Sequence, residues 1–450
     1  MGARESVFNV GVGRPRPNIL LLHWHDLGRN LGCYDAPDIA SPCLDKLASE
    51  GMRFDQAFCT SPLCTPARGS IFTGRYPHSN GLMGLVPQGW AYGQNERTLP
   101  TILAEHGYHT ALIGQQHESR CAEELGYQTI EVTDHWQTCD GVEPLAIEFL
   151  HRRASDAQPF FASVGFFEVH RLGSDHYPEE RYPSQDMRAP RVPPFLHENA
   201  QTRRDLATFH GAIRVADTSI GRVLRALDTT GLRENTWVIF TTDHGMAFPG
   251  AKSTLYDPGI GVSLLMRWPK RLGAGVVVDS LFSHVDLVPT ILDALEIEIA
   301  DAIEGLSAWP ALVSPDLDAS RTHVFAERTH HGTHYDPMRC VRTGEFKYIR
   351  NELPGSPPPM PDDVRSSPSA RVLTERLKAP RPSEELYDLL SDPDERRNLA
   401  TVQEFEPVRA ELAERLETWM RATNDPLLEG PIPLPASPSA ACKPSVEMSR

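Results

Sequence analysis

The sequence predicts an α/β protein: a large mixed, mostly parallel sheet sandwiched by helices, followed by a smaller C-terminal α+β subdomain. Three observations lead to this. Short, wholly apolar runs, typical of strands buried on both faces, alternate with amphipathic stretches of helical length. Each run ends in a polar cluster: His25-Asp26 after Asn18–Leu22, Gly114-Gln115-Gln116-His117 after Thr110–Ile113, His170 after Pro159–Phe167, and Asp243-His244 after Trp237–Thr242. From about Thr322 the pattern changes to closely spaced short strands. An open parallel sheet binds its ligand beyond the carboxyl ends of its strands, so the four clusters are expected to meet at one site.

Taken in order, Asn18–Leu22 is the first strand and His23-Trp24-His25-Asp26-Leu27-Gly28 the polar loop that follows. Ser41-Pro42 opens a helix as N-cap and first-turn proline, Leu44, Leu47 and Ala48 face inward, and Gly51 closes it. Pro66 sets a second helix through Phe72 and puts Cys64 at its N-terminus, where free amides and the helix dipole favour an anion. Leu99–His106 reads as a helix stopped by Gly107, and Arg203–Leu227 as a long amphipathic helix. Beyond Thr322, strands are expected at His323–Ala326, Arg339–Arg342, Phe346–Ile349 and Glu385–Leu389. The proline-, serine- and charge-rich stretch 353–383 reads as a long loop. A helix over about Glu404–Arg421 follows, with Val408, Leu412, Leu416 and Met420 on one face. The expected organisation is a catalytic α/β domain over 1–325, an α+β subdomain over 326–430 and a disordered tail over 431–450.

Composition excludes some partners. The 450 residues include 60 acidic and 44 basic side chains, a net charge of -16, which argues against a nucleic-acid partner held by a basic surface. Met1–Pro17 carries Arg4, Arg14 and Arg16 but no apolar segment, and Ile19–Leu22 is too short to span a bilayer. Neither an export signal nor membrane contact is expected. The eight cysteines show no CxxC pair and no compact spacing, so a reducing, cytoplasmic location without a disulfide framework is expected. Nothing in the sequence speaks to oligomeric state.

Cys64-Thr65-Pro66-Ala67-Arg68, continuing Gly69-Ser70-Ile71-Phe72-Thr73-Gly74-Arg75, reads C-x-P-x-R-x-x-x-x-T-G-R. It resembles the signature of the sulfatase family, within the alkaline-phosphatase-like superfamily. Glu385-Leu386-Tyr387-Asp388-Leu389-Leu390-Ser391-Asp392-Pro393 is similar to the E-L-Y-D-L-x-x-D-P stretch near the family's C-terminus. The resemblance implies an alkaline-phosphatase-like fold, oxidation of Cys64 to formylglycine by a formylglycine-generating enzyme, and a hydrated aldehyde as nucleophile. It also implies one divalent cation, held by His25, Asp26, Asp243 and His244 together with the modified Cys64. Calcium is the family's cation, whereas imidazoles in place of an acid and an amide suit manganese or zinc. His23, on the same strand face as His25, is expected to be structural.

The family's G-K-x-H element is Gly114-Gln115-Gln116-His117 here: His117 carries over, and Gln115 replaces the lysine that touches substrate. Glutamine still donates a hydrogen bond but supplies no charge, which weakens transition-state stabilisation. Phe160–His170 is similar to the strand that ends in a substrate-facing histidine, with Val169 in place of the usual proline. Lys252-Ser253-Thr254-Leu255-Tyr256-Asp257-Pro258-Gly259 resembles K-x-x-x-Y-E-G-G, which places Lys252 on the sulfate. The implied mechanism has the cation, Arg68 and Lys252 neutralise the sulfuryl oxygens, His170 with Lys252 protonate the leaving group, and His117 remove the second diol proton.

Further details are similar to the N-sulfoglucosamine sulfohydrolase (sulfamidase) subgroup: Pro77–Leu85, Thr329-His330-His331 before Pro337-Met338-Arg339, and Trp419–Pro426. They point to a small sulfated amino sugar, N- or O-sulfated, with His330, His331 and Arg339 lining the sugar subsite or, equally, lying in surface loops. Two alternatives stand beside this. A phosphonate monoester hydrolase or phosphodiesterase of the same superfamily would also suit His244. A catalytically silent carbohydrate-binding relative would account for Gln115.

Overall fold

The computed structural model describes residues 16–133, 136–172, 176–184, 190–314 and 321–436. Its strands, numbered in chain order, are β1 (Asn18–Trp24), β2 (Met52–Phe54), β3 (Ala57–Phe58), β4 (His109–Gly114), β5 (Thr129–Glu131), β6 (Phe160–Gly165), β7 (Thr236–Thr242), β8 (Leu264–Arg267), β9 (Val276–Val278), β10 (Phe282–Ser283), β11 (His323–His331), β12 (His334–Thr343), β13 (Phe346–Asn351) and β14 (Glu384–Asp388). The central sheet has eight strands in the order β5-β4-β6-β1-β7-β8-β2-β9. Its first five are mutually parallel, while β8 runs antiparallel to both β7 and β2. This is the mixed, mostly parallel sheet expected.

The central strand β1 shows why the apolar runs are unbroken. All seven of its residues are buried. Ile19 and Leu21 join one packing layer with Phe72, Trp237 and Ile239. Leu20, Leu22 and Trp24 join the opposite layer with Ile220 and Val223, which come from the helix Ala200–Thr229. A strand covered on both faces needs apolar side chains whichever way the pleat turns them. Each such Leu or Ile contributes about 1.5–3 kcal/mol over its exposed state.

The helix Pro42–Ser49 forms where expected but is capped differently. The Ser41 hydroxyl bonds to Asp45, and the amides of Cys43 and Leu44 donate instead to the Asp217 carboxylate, at 3.0 and 2.8 Å. Asp217 belongs to the helix Ala200–Thr229, so the cap is tertiary.

The C-terminal unit is the antiparallel sheet β11-β12-β13-β14, backed by Leu412, Leu416, Trp419 and Met420 of the helix Glu406–Ala422. Lys347 on β13 ties it to the large sheet's side through Asp257 at 2.5 Å and pairs within the unit with Glu395 at 2.7 Å. Two expectations are corrected here. The stretch 353–383 carries the short helices Asp362–Arg365 and Glu375–Lys378 and is not a plain loop. The start of the tail expected to be disordered, Pro431–Ala436, is seated on the fold: Ile432 is buried beside Leu82 and Trp90, and its carbonyl accepts from His330 at 2.9 Å. Residues 437–450 lie outside the described residues. Cys33, Cys43, Cys59, Cys64, Cys139 and Cys340 are free thiols, whereas Cys121 is disulfide-bonded. No described helix is long and apolar enough to cross a membrane.

Candidate active site

The sheet register assembles the site. Trp24 pairs with Thr242 at the carboxyl ends of β1 and β7, and Gly114 pairs with Gly165 at the ends of β4 and β6. The residues just beyond those ends therefore lie side by side. Asp26, in the left-handed region at φ 53°, donates its amide to Asp243 Oδ1 at 3.0 Å. The His244 amide donates to the same oxygen at 2.8 Å. His244 Nδ1 is held by the Gly245 carbonyl at 2.9 Å, which turns Nε2 towards Cys64 Sγ, 3.3 Å away. Gly245 is required at this turn, because a Cβ there would lie 1.9 Å from the Pro258 carbonyl.

Cys64 is the first residue of the buried helix Cys64–Thr73, as expected. One ligand-capable atom each of His25, Asp26, Cys64 and Asp243 falls within a mutual distance of 4.8 Å, and all four residues are buried. Asp26 Oδ1 lies 3.2 Å from His244 Nε2 without a hydrogen bond between them. His25 Nδ1 lies 2.8 Å from Asp243 Oδ2, again off the hydrogen-bonding direction, so the contact is electrostatic and neither ring nitrogen of His25 makes a hydrogen bond. A buried polar atom left unsatisfied costs about 1–3 kcal/mol, so carboxylate and imidazole atoms orphaned around one point suit a bound cation. Two carboxylates and two imidazoles form a mixed oxygen and nitrogen donor set.

Electrostatics follow from burial and pairing. Burial alone would raise the Asp243 carboxyl, but His244, His25 and Arg68 hold it well below the usual range. Burial would also lower Lys252, yet Asp26 and Asp363 hold it well up, as a cation. His117 is brought down to about 3 by burial, then by Arg68 and His170, so its imidazole is neutral. Its Nδ1 has no hydrogen-bond partner, and His117 shares a group of atoms within 4.8 Å with His25 and Cys64. Burial pushes the Cys64 thiol well up.

Lys252 and His170 close the site from the opposite side. Lys252 Nζ donates to Asp26 Oδ2 at 2.8 Å and lies 3.2 Å from His170 Nε2. His170 Nδ1 is occupied by the Arg171 carbonyl at 2.8 Å, which fixes Nε2 as the atom facing Lys252.

Some assignments change. Arg68 is fully committed within the protein: Nη1 to His23 Nδ1 at 2.7 Å, Nη2 to the Trp24 carbonyl at 3.0 Å and Nε to Asp243 at 3.3 Å. It orients Asp243 and does not reach out to a ligand, and His23 is structural as expected. Gln115 donates its amide to the Gln116 carbonyl at 3.1 Å. Arg339 is not in a sugar subsite. It is buried on Asp425, with Nε–Oδ2 at 2.5 Å, because β12 turns it into the junction of the C-terminal sheet and the chain end. His330 likewise faces Ile432. His331 remains near the site: burial lowers it to about 3, Arg328 and Lys252 lower it further, and Asp363 opposes them.

Sequence reasoning missed two residues. Asp363, from the short helix Asp362–Arg365, accepts from Lys252 at 2.8 Å; no motif marks it, and only the fold brings it here. Glu118 is buried and accepts the His117 amide at 2.8 Å, which sets the turn carrying that histidine; its only signal is its place next to His117.

Residues 17–297 match the family model described as Sulfatase, and residues 244–353 match the one described as N-sulphoglucosamine sulphohydrolase, C-terminal. The chain is 31% identical over 481 aligned residues to N-sulphoglucosamine sulphohydrolase of Homo sapiens, covering 94% of this chain and 93% of that one. It is 28% identical to an ulvan-active sulfatase of Formosa agariphila, covering 91% and 76%. Among solved structures, the yidJ protein of Bacteroides fragilis superposes with a TM-score of 0.75 at 21% identity, over 96% of this chain and 100% of that one. A structure in complex with its substrate D-glucosamine-2-N,6-O-disulfate superposes with a TM-score of 0.72 at 20% identity, over 92% and 99%. A cysteine at a helix start beside paired acids at two adjacent strand ends, with a family match spanning most of the α/β region, leads to one conclusion: the chain is an enzyme of the sulfatase family, a sulfuric ester or sulfamate hydrolase.

Proposed function

We propose that this enzyme hydrolyses a sulfate ester or sulfamate of a small sulfated amino sugar, with Cys64 matured to formylglycine and one divalent cation. The observation that carries the reading is the convergence of His25, Asp26, Cys64 and Asp243 in one buried cluster, with His244 against Cys64 and Asp26 and with Lys252 and His170 facing it. Likeness to the human N-sulphoglucosamine enzyme over nearly the whole length of both chains supports the amino-sugar class.

Asp26, Asp243, His244 and His25 would hold the cation, which supplies Lewis acidity at the sulfuryl oxygens. Oxidised and hydrated, position 64 supplies the attacking hydroxyl. Arg68 keeps Asp243 ionised and oriented from behind. Lys252, held as a cation between Asp26 and Asp363, offsets the charge of the sulfuryl group, and His170 with Lys252 delivers the proton that the leaving oxygen or nitrogen takes as its bond to sulfur breaks. His117, neutral and unpartnered at Nδ1, takes the proton of the second hydroxyl. Maturation by a formylglycine-generating enzyme and a cytoplasmic location belong to the same proposal.

The test has two parts. Mass spectrometry of the peptide containing position 64 is expected to show the loss that accompanies replacement of CH2SH by CHO, and Cys64→Ala is expected to abolish turnover. Comparing kcat/KM for a sulfate ester, a sulfamate and a phosphonate monoester then ranks the chemistries. An active enzyme with an unmodified thiol, or one that prefers the phosphonate, overturns the reading.

A further inference from the structure

Asp363 is the carboxylate of this site that belongs to no matched motif, and its setting is specific. Asp26 and Lys252 are closed off, at 0% and 2% side-chain exposure, whereas Asp363 and His170 stand at the mouth, at 13% and 19%. Asp363 Oδ2 accepts from Lys252 at 2.8 Å and lies 3.8 Å from His170 Nε2. Its other oxygen makes no hydrogen bond among the described residues and is not among the buried unsatisfied atoms, so it is an accessible acceptor. The segment bearing it is pinned. Val364 is fully buried, and the Ser369 hydroxyl donates to Asp205 Oδ2 at 2.7 Å. Asp205 is clamped by both terminal nitrogens of Arg171, at 2.7 and 3.0 Å, and Arg171 follows His170 in the chain. Acceptor and proton donor are thus held in one rigid frame, the arrangement that precise recognition requires.

A fixed, solvent-reachable carboxylate oxygen beside the group that protonates the leaving atom has limited uses. It repels an anion, and it is satisfied by an N–H or O–H donor. We propose that Asp363 determines specificity: its free oxygen accepts a hydrogen bond from a hydroxyl or amine on the ring carbon next to the sulfated position, and it turns away a second sulfate or a carboxylate there. This rests on the sulfosugar reading above and narrows its substrate class to sugars with an unmodified donor neighbour.

The test compares wild type, Asp363→Ala and Asp363→Asn on glucosamine N-sulfate and on para-nitrophenyl sulfate, which has no neighbouring donor. It also measures the calorimetric Kd of glucosamine N-sulfate for Cys64→Ala with and without Asp363→Ala. The ratio of kcat/KM, sugar over aryl, is expected to fall at least about tenfold in Asp363→Ala, with a matching rise in Kd, as expected for loss of a hydrogen bond to a charged group. Asp363→Asn, nearly isosteric, keeps an acceptor without the charge, so its rate on glucosamine bearing a second sulfate on the neighbouring carbon is expected to rise relative to wild type. An unchanged ratio and Kd in an active wild-type background would mean that Asp363 only steadies Lys252, and the proposal fails. A wild-type enzyme that turns over neither sulfate esters nor sulfamates fails at the earlier step, the function reading itself. Thermal unfolding shows whether the alanine variant is folded; if it is not, the asparagine variant alone decides by its response to the second sulfate.

Discussion

Replacing Arg339 with methionine separates two roles for that residue, a sugar contact or a buried strut. In the structure its guanidinium is fully enclosed. Nε and Nη2 meet the two oxygens of Asp425 at 2.5 and 2.9 Å, and Nη1 reaches the carbonyls of Arg328 and Met338 at 3.1 and 3.0 Å. Removing the cation leaves the Asp425 carboxylate buried without its partner, and it withdraws a positive charge 3.6 Å from Glu327. Breaking one side of such a pair costs about 3–5 kcal/mol, because the remaining charge has lost both water and its counterion. At about 2 °C per kcal/mol for a large domain, the unfolding midpoint should drop by roughly 6–10 °C. The assay is thermal unfolding of Arg339→Met beside its kcat and KM at a temperature where it stays folded. Adding Asp425→Leu should recover part of the loss, since two apolar groups leave no lone charge behind. A variant that unfolds with wild type but binds sugar substrate far more weakly would refute the buried-strut reasoning and return Arg339 to the substrate.

Three further outcomes are expected. Lys252→Met should lower kcat by about 10²–10³, the usual cost of one oriented donor on developing charge, with Lys252→Arg failing to rescue because the wider guanidinium does not fit between Asp26 and Asp363; full activity in the methionine variant would exclude Lys252 from the reaction. Burial opposes protonation of His78, but Glu327, 2.5 Å away, more than compensates and raises its pKa above 6.5. The folded pKa being the higher, this stabilisation is complete below pH 6.5 and is lost as pH rises through the folded value, so the stability gap between wild type and His78→Gln should narrow on the alkaline side; a gap independent of pH contradicts it. Dialysis against a chelator should abolish turnover and lower the melting temperature, and separate additions of calcium, manganese and zinc should identify the cation by recovery of both; a metal-free preparation with full activity would refute the cation site.

The layered architecture was legible because β1, β4, β6 and β7 are buried on both faces, and that state leaves an unbroken apolar run in the sequence. The cluster of His25, Asp26, Cys64 and Asp243, with His244 beside it, was legible because short motifs at strand and helix ends carry both the chemistry and the turn that aims it. The roles of Arg68, Arg339 and His330 were less so, since residue type does not say whether a buried cation faces a ligand or a neighbouring carboxylate.

The chain by itself therefore determined the class of fold, the family and the residue types at the floor of the site, which are written in apolar runs, helical periodicity and short motifs. Tertiary structure alone decided what lies across the mouth. Asp363 reaches Lys252 from 111 positions away, and Asp217 caps the helix Pro42–Ser49 from a different helix. Pairings between distant charges are set by where packed layers bring the backbone, and no local pattern in the sequence encodes that distance.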